Sequence, residues 1–246
     1  MSKLFGFGET VAGYDVPVLN EREVRAAAGI LFLLALVSFL NSWLMGNFRL
    51  TRIFVIAFLI DFTIRIFINP KYSPSMILGR FAVHGQAAEW AGAPQKRFAW
   101  AVGWTLAVVM FYLIVIENVV GPINLFVCLA CLTLLFFESA FGICLACKVY
   151  NLLPSRQAQH CPGGTCEVGE VVVRHESQKL GPSHAAIVVV FLGVMAFVAN
   201  RWFPPLEAVP VAVAPAAAPA DPKCTPPDWA VKIGHAEMWK LHNNCK

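Results

Sequence analysis

Charge is sparse in this chain: Asp, Glu, Lys and Arg make up 14% of it, against roughly 25% in a typical soluble domain. With 58% hydrophobic residues, that scarcity argues against a single water-soluble core. No dense Lys/Arg tract occurs, so the net charge of +4 is not a nucleic-acid footprint, and no nucleic-acid partner is expected. No Ser-His-Asp constellation, phosphate loop, dinucleotide fingerprint or haem-attachment motif is present. Neither is an inverted repeat or a pair of broken helices, the marks of many transporters. The first apolar block has no small-residue cleavage site, so it reads as a retained span rather than a cleaved leader.

The apolar residues that are present fall into long blocks. Crossing about 30 Å of hydrocarbon takes about 20 helical residues, and five blocks approach that length: residues 27–45, 53–68, 98–116, 123–147 and 185–202. The expected fold is therefore an all-α polytopic membrane helix bundle, with four core transmembrane helices, a fifth, and a short exported C-terminal tail. Its segments are a cytoplasmic N-terminal stretch (1–26), a four-span membrane domain (27–150), a cytoplasmic Cys-containing loop (151–183), the fifth helix (184–203), and an Ala/Pro linker with a periplasmic tail (204–246). Asn20 followed by Glu23 predicts a capping box, starting the first helix ahead of the lipid. The second block is closed by Asn69-Pro70; Ser73-Pro74-Ser75 then marks the start of a short interfacial helix.

Orientation follows from Lys and Arg near the spans. Lys3, Arg22 and Arg25, then Lys71, Arg80, Lys96 and Arg97, then Lys148, Arg156, Arg174 and Lys179 share one side if there are five spans. Arg49 and Arg52 are on the other. Positive-inside bias puts the first group, and the N-terminus, in the cytoplasm and the C-terminus in the periplasm of a bacterial inner membrane.

The cysteines sort by side. Cys224 and Cys245 flank the exported tail, where an oxidising compartment favours a disulfide; closing a loop of about 20 residues contributes about 3 kcal/mol in the chain-entropy model. The tetrapeptide Cys-Leu-Ala-Cys occurs twice, at 128–131 and 144–147. Cys128 and Cys131 read as small packing residues within an apolar helix. Cys144 and Cys147 sit at a helix end beside Lys148 and, with Cys161 and Cys166, form a Cys-x2-Cys, thirteen-residue, Cys-x4-Cys constellation. Four thiolates at that spacing suit a tetrahedral zinc site, with His160 as a further candidate ligand. The same four suit two redox pairs or a persulfide carrier, given Lys148, Arg156 or His160 to favour a thiolate. Inert packing is the third reading.

Asp61 lies near the middle of the second block and costs about 3 kcal/mol at the centre of a span by insertion scales. Arg65, four residues on, shares its face, and a neutralising pair turned into the bundle is the favoured reading; a proton or substrate path is the alternative. Glu138, seven residues after Cys131, is expected to be protonated or to meet Arg65 or another base from a different helix.

Several segments together resemble an uncharacterised bacterial membrane family, domain-of-unknown-function family 4395. They are Val18-Leu19-Asn20-Glu21-Arg22-Glu23-Val24-Arg25-Ala26, Asp61-Phe62-Thr63-Ile64-Arg65 with Ser73-Pro74, Pro94-Gln95-Lys96-Arg97-Phe98-Ala99, and Phe141-Gly142-Ile143-Cys144-Leu145-Ala146-Cys147-Lys148-Val149-Tyr150. The resemblance covers roughly residues 15–150. It implies a four-span integral module with its dithiol after the last span, in the company of thioredoxin-like and sulfur-transfer proteins. Ala146 stands where that family pattern often has Gly.

Three functions compete. The first is thiol-dependent redox or sulfur handling through Cys144, Cys147, Cys161 and Cys166, with a thioredoxin-like or sulfur-transfer partner. The second is a structural or partner-binding membrane subunit with a zinc-held cysteine cluster. The third is a small transporter using Asp61, Arg65 and Glu138. A quinone-linked disulfide oxidoreductase neighbours the first and places the dithiol outside, against the charge count.

Overall fold

A computed structural model of the chain describes residues 6–11, 14, 16–152, 180–204, 225–232, 236, 239–240 and 243. The chain divides into two units, Met1–Pro205 and Leu206–Lys246. In the second, Asp228–Lys232 forms a short helix; Cys224 and Cys245, and so their expected disulfide, lie outside the described residues. So do His160, Cys161, Cys166 and the rest of the loop that holds them.

The first unit is built of helices. A short strand β1 (Val18–Asn20) leads directly into α1 (Glu21–Met45). Asn20 caps that helix, its side chain accepting from the Arg22 N–H at 3.2 Å, and Asn20 Nδ2 donates to Glu23 Oε1 at 3.2 Å. Glu21 and Glu23 in the first turn suit the positive end of the helix dipole. Within the apolar stretch, the buried Ser38 and Ser42 return their hydroxyls to the carbonyls of Leu34 and Phe39, so neither hydroxyl is left without a partner. Gly46 ends the helix at φ 64°, a left-handed conformation that suits glycine.

α2 (Arg49–Thr63) continues as a π-helical segment over Ile64–Ile68 and stops at Asn69, before Pro70. Ser73 caps α3 (Pro74–Ala82), whose first residue is the proline suited to that position. α3 packs on the first turns of α1 at Gly79, where an added Cβ would come within 2.6 Å of the Glu23 carbonyl oxygen. β2 (Trp90–Gly92) leads into α4 (Ala93–Met110), prolonged by a π-helical segment over Phe111–Ile116. After a turn come α5 (Pro122–Phe141) and α6 (Leu145–Leu152). α7 (Pro182–Trp202) completes the unit.

The expected fourth span, running unbroken to Cys147, is divided here. Gly142 takes φ 66° and closes α5, and the chain restarts as α6. The glycine C-cap interrupts an apolar run that hydropathy alone joins together.

The direction of each helix follows from the contacts. β1 pairs antiparallel with β2, Val18 opposite Gly92 and Asn20 opposite Trp90, so α1 and α4 leave from the same end of the bundle. α2 brings the chain back between them: Thr51 near its start donates to the Ser38 carbonyl at 3.0 Å, and Asp61 near its end accepts from Ser73 and Ser75. α5 also returns, since Glu138 near its end meets Lys96 in the first turn of α4 at 2.6 Å. α7 starts against α3 and ends where Phe203 accepts from Arg49. Among the described residues, five helices thus run the length of the bundle, alternating in direction.

Four of them, α1, α4 with its π segment, α5 and α7, are long and apolar enough to cross a membrane. The chain is a multi-pass membrane protein. α2 does not meet that standard of length and hydropathy, yet it has to traverse because α1 and α4 share a starting end. With its π segment it covers about 30 Å at the helical rise. The outer faces carry Leu33, Trp43, Phe126, Val189 and Phe197, all more than half exposed, as a lipid-facing surface demands. The core lies inside, with Val24, Ala27, Leu31, Phe58, Phe62, Met76 and Trp100 in one cluster.

Candidate functional site

The starting end of the bundle concentrates its buried charge. Asp61 and Arg65 are each 2% exposed, and Asp61 Oδ2 accepts from Arg65 Nε at 2.9 Å. Ser73 Oγ donates to Asp61 Oδ1 at 2.7 Å, and the Ser75 N–H donates to the same oxygen at 2.9 Å. Ser75 Oγ donates to Asp61 Oδ2 at 2.5 Å and accepts from Arg65 Nη2. The guanidinium lies over the rings of Phe62 and Trp100, 4.6 and 5.0 Å from their centroids. The favoured expectation, a neutralising pair turned inward, is what the geometry has. Both Asp61 oxygens are engaged, which suits a clamp joining α2 to α3 better than a released proton or a moving substrate.

Two further networks join other helices. Glu23 of α1 pairs with Arg80 of α3 at 3.1 Å. Lys96 of α4 bridges Glu21 of α1 at 2.8 Å and Glu138 of α5 at 2.6 Å. Glu138 therefore finds its base on a different helix, and that base is Lys96. From the sequence, Lys96 and Arg80 enter the orientation count and Glu21 only a family-like segment, and none of the three is assigned a partner. The available signal was that Glu21, Glu23, Lys96 and Glu138 belong to helices whose ends must meet in an antiparallel bundle. Buried charges survive only when paired.

Cys144 and Cys147 lie at this same end, joined in a disulfide with Cα atoms 5.1 Å apart. Cys144 is the residue just before α6: its carbonyl accepts from the Lys148 N–H at 3.1 Å, and its Sγ accepts from the Cys147 N–H at 3.1 Å. An N–H aimed at sulfur from a helix start stabilises negative charge there. Cys147 is 8% exposed, its Sγ 3.7 Å from the Gln95 carbonyl oxygen, whereas Cys144 is only half-buried. The two cysteines are thus unequal: Cys144 is the more exposed and takes the N–H contact on its sulfur, and Cys147 is buried. The ring of Tyr150 packs on Phe98, 5.3 Å between centroids, and helps hold α6 to α4.

Cys128 and Cys131 are free thiols on α5. Cys131 and Cys144 both border a small cleft of about 60 Å³ between α1, α2, α4 and α5, and Arg65 and Glu138 border it too. Of the residues singled out from sequence, the structure thus gathers Arg65, Glu138 and Cys144 around one cleft, with Asp61 behind Arg65 and Cys147 behind Cys144. Among the described residues no group of three or more His, Cys, Asp or Glu is placed to hold a metal ion. Of the four cysteines expected to suit zinc, Cys161 and Cys166 lie outside the described residues, and Cys144 and Cys147 are bonded to each other.

The family model for a domain of unknown function, DUF4395, matches residues 19–154. The chain belongs to the DUF4395 family. The match takes in α1 to α6, and with them the three charge networks and the cysteine pair. α7 lies beyond it, so the DUF4395 module is the four-helix body with its α3 and α6 additions. No curated protein and no solved structure matches the chain.

Proposed function

We propose that this protein is a membrane thiol–disulfide oxidoreductase in which Cys144 and Cys147 cycle between disulfide and dithiol. The observation that carries the reading is their asymmetric disulfide at the start of α6, with the Cys147 N–H on the more exposed Cys144 sulfur. In that arrangement Cys144 is the sulfur that exchanges with a partner and Cys147 the one that resolves the mixed disulfide. Cys161 and Cys166 supply a second pair to exchange electrons between the Cys144–Cys147 pair and a thioredoxin-like or sulfur-transfer partner. The pair faces the cytoplasm, a placement supported by the basic residues at this end, including Arg22, Arg25, Lys71, Arg80, Lys96 and Lys148.

The test is a redox titration of the full chain in glutathione buffers, read by mass spectrometry of the peptide holding both cysteines. The expected result is reversible interconversion, with Cys147→Ser accumulating a mixed disulfide on Cys144 and Cys144→Ser accumulating none. A pair that stays closed, or stays as free thiols, at every poise sinks the reading, as does a zinc ion released stoichiometrically by chelator. Impermeant maleimide on spheroplasts fixes the side: after reduction, Cys144 should label only on lysis, whereas Val120→Cys, in the turn between α4 and α5, should label from outside.

A further inference from the structure

A larger opening lies at the same end of the bundle, on an exposed flank of α4. It is a groove of about 510 Å³ walled by Phe7, Pro17, Ile66, Phe98, Ala101 and Tyr150. Arg97 is the charged residue that borders it, and no carboxylate does so among the described residues. The walls are held by contacts of their own. The Phe7 ring packs on Trp100, 5.5 Å between centroids, and the Gly6 N–H donates to the Ile68 carbonyl at 3.3 Å. The Pro17 carbonyl accepts from the Ala93 N–H at 2.9 Å, and Tyr150 packs on Phe98. A pre-formed groove of several hundred Å³ with apolar walls and one placed polar group suits a small amphiphile.

Arg97 is used differently from the bases around it. Arg22, Arg65, Arg80 and Lys96 each hold a carboxylate. Among the described residues Arg97 enters no ion pair. Its Nη2 donates to the Ile66 carbonyl at 3.4 Å, and its guanidinium lies 5.3 Å from the centroid of the Phe7 ring. A guanidinium carries five N–H donors, so most of them are left to meet an anion. The residue is exposed, which lets that anion arrive from outside the bundle.

Its depth identifies the anion. Arg97 lies in the first turns of α4, at the end that the orientation count places in the cytoplasm. Ala101 is one turn further along the same face, toward the membrane interior. Phe67 and Ile68, next to Ile66, are exposed, so this flank faces lipid. Positive charge at head-group depth, with an apolar groove one turn deeper, matches the polarity of a phospholipid that carries net negative charge. The cytoplasmic leaflet is where such lipids concentrate. We infer that the groove binds one anionic phospholipid, its phosphodiester on the Arg97 guanidinium and an acyl chain along Ile66, Phe98 and Ala101. A planar guanidinium can meet two phosphate oxygens at once, which favours phosphate over a neutral head group. The inference stands apart from the thiol–disulfide reading, since neither cysteine borders the groove.

The experiment uses the full chain in detergent micelles doped with equal parts of phosphatidylglycerol and phosphatidylcholine, and native mass spectrometry counts the lipids that stay bound. The wild type should retain phosphatidylglycerol preferentially. Arg97→Gln should lower that preference about fivefold, the effect of one basic group on an anionic head group. Arg97→Lys keeps the charge and should keep most of the preference. Ala101→Trp fills the groove and should lower retention of the first phosphatidylglycerol by a similar factor. Equal retention of the two lipids by the wild type overturns the inference, as does a preference unchanged in both Arg97→Gln and Ala101→Trp. A preference lost in Arg97→Gln but untouched by Ala101→Trp means a surface contact, and the groove assignment falls. Millimolar inorganic phosphate should leave the bound lipid in place; displacement by it makes the site one for free phosphate and removes the lipid.

Discussion

The two ends of the bundle are held together in different ways. At the end where α1 and α4 begin, three buried networks tie helix to helix through full charges: Asp61–Arg65 with Ser73 and Ser75, Glu23–Arg80, and Glu21–Lys96–Glu138. At the far end, most of the polar contacts are neutral groups closing turns. Asn41 donates to the Asn47 carbonyl at 2.7 Å, Asn124 donates to the Val119 carbonyl, and Gly46 closes α1 with its N–H on Ser42. Arg49 on Phe203 is the main charged contact there. The lesson is about where register is set. Apolar helices in lipid slide past one another at little cost because lipid is as apolar as their neighbours. Charge pairs do not tolerate sliding, since a slip leaves each ion bare. Cys144 and Cys147 sit at the pinned end, where a reactive pair needs a fixed geometry.

That contrast can be broken at several points. Asp61→Ala should have the largest effect, about 3–5 kcal/mol, because it leaves Arg65 buried and uncompensated; a detergent unfolding titration reads it, and a loss below about 1 kcal/mol removes the clamp from the account. Gly79→Leu should follow at about 1–3 kcal/mol, because a Cβ there meets the Glu23 backbone oxygen at 2.6 Å and α3 has to move off α1. Altered reactivity of Cys144 in that variant would show that the pinned end acts as one body.

The link between α4 and α5 is measured more finely by a double-mutant cycle with Lys96→Met and Glu138→Gln. Its expected coupling is about 1 kcal/mol, and additive single effects would mean that the 2.6 Å contact contributes nothing. Smallest of all should be Gly46→Ala at the far end, where no atom lies within 4 Å of a new Cβ and only the positive φ resists it. A cost of about 1 kcal/mol is expected, the low end of the left-handed penalty for a residue with a Cβ. A cost equal to that of Gly79→Leu would erase the difference between the ends.

Much of the bundle was legible in advance. Long apolar blocks, the Asn20 cap, the Ser73-Pro74 start and the Asn69-Pro70 stop all act locally, through backbone hydrogen bonds and hydropathy, so pattern reading finds them. The division between α5 and α6 was missed because Gly142 interrupts a run whose composition does not change. Asp61 and Arg65 were paired correctly because their partner lies on the same helix, one turn away. Glu138 was assigned only an unspecified base, because Lys96 lies on a helix that precedes α5 by a whole pass of the chain.

Composition and local spacing were enough to place this chain in a membrane, to locate most of its helices, and to put two cysteines three residues apart at the end of one. What folding added is the reason α2 traverses, since the β1–β2 pairing starts α1 and α4 from one end. Only the tertiary structure decided that Lys96 joins three helices and that Cys144 faces a cleft shared with Arg65 and Glu138. The physical reason is the same throughout. A buried ion takes the nearest opposite charge in space, and space in a helix bundle is ordered by which ends meet rather than by distance along the chain.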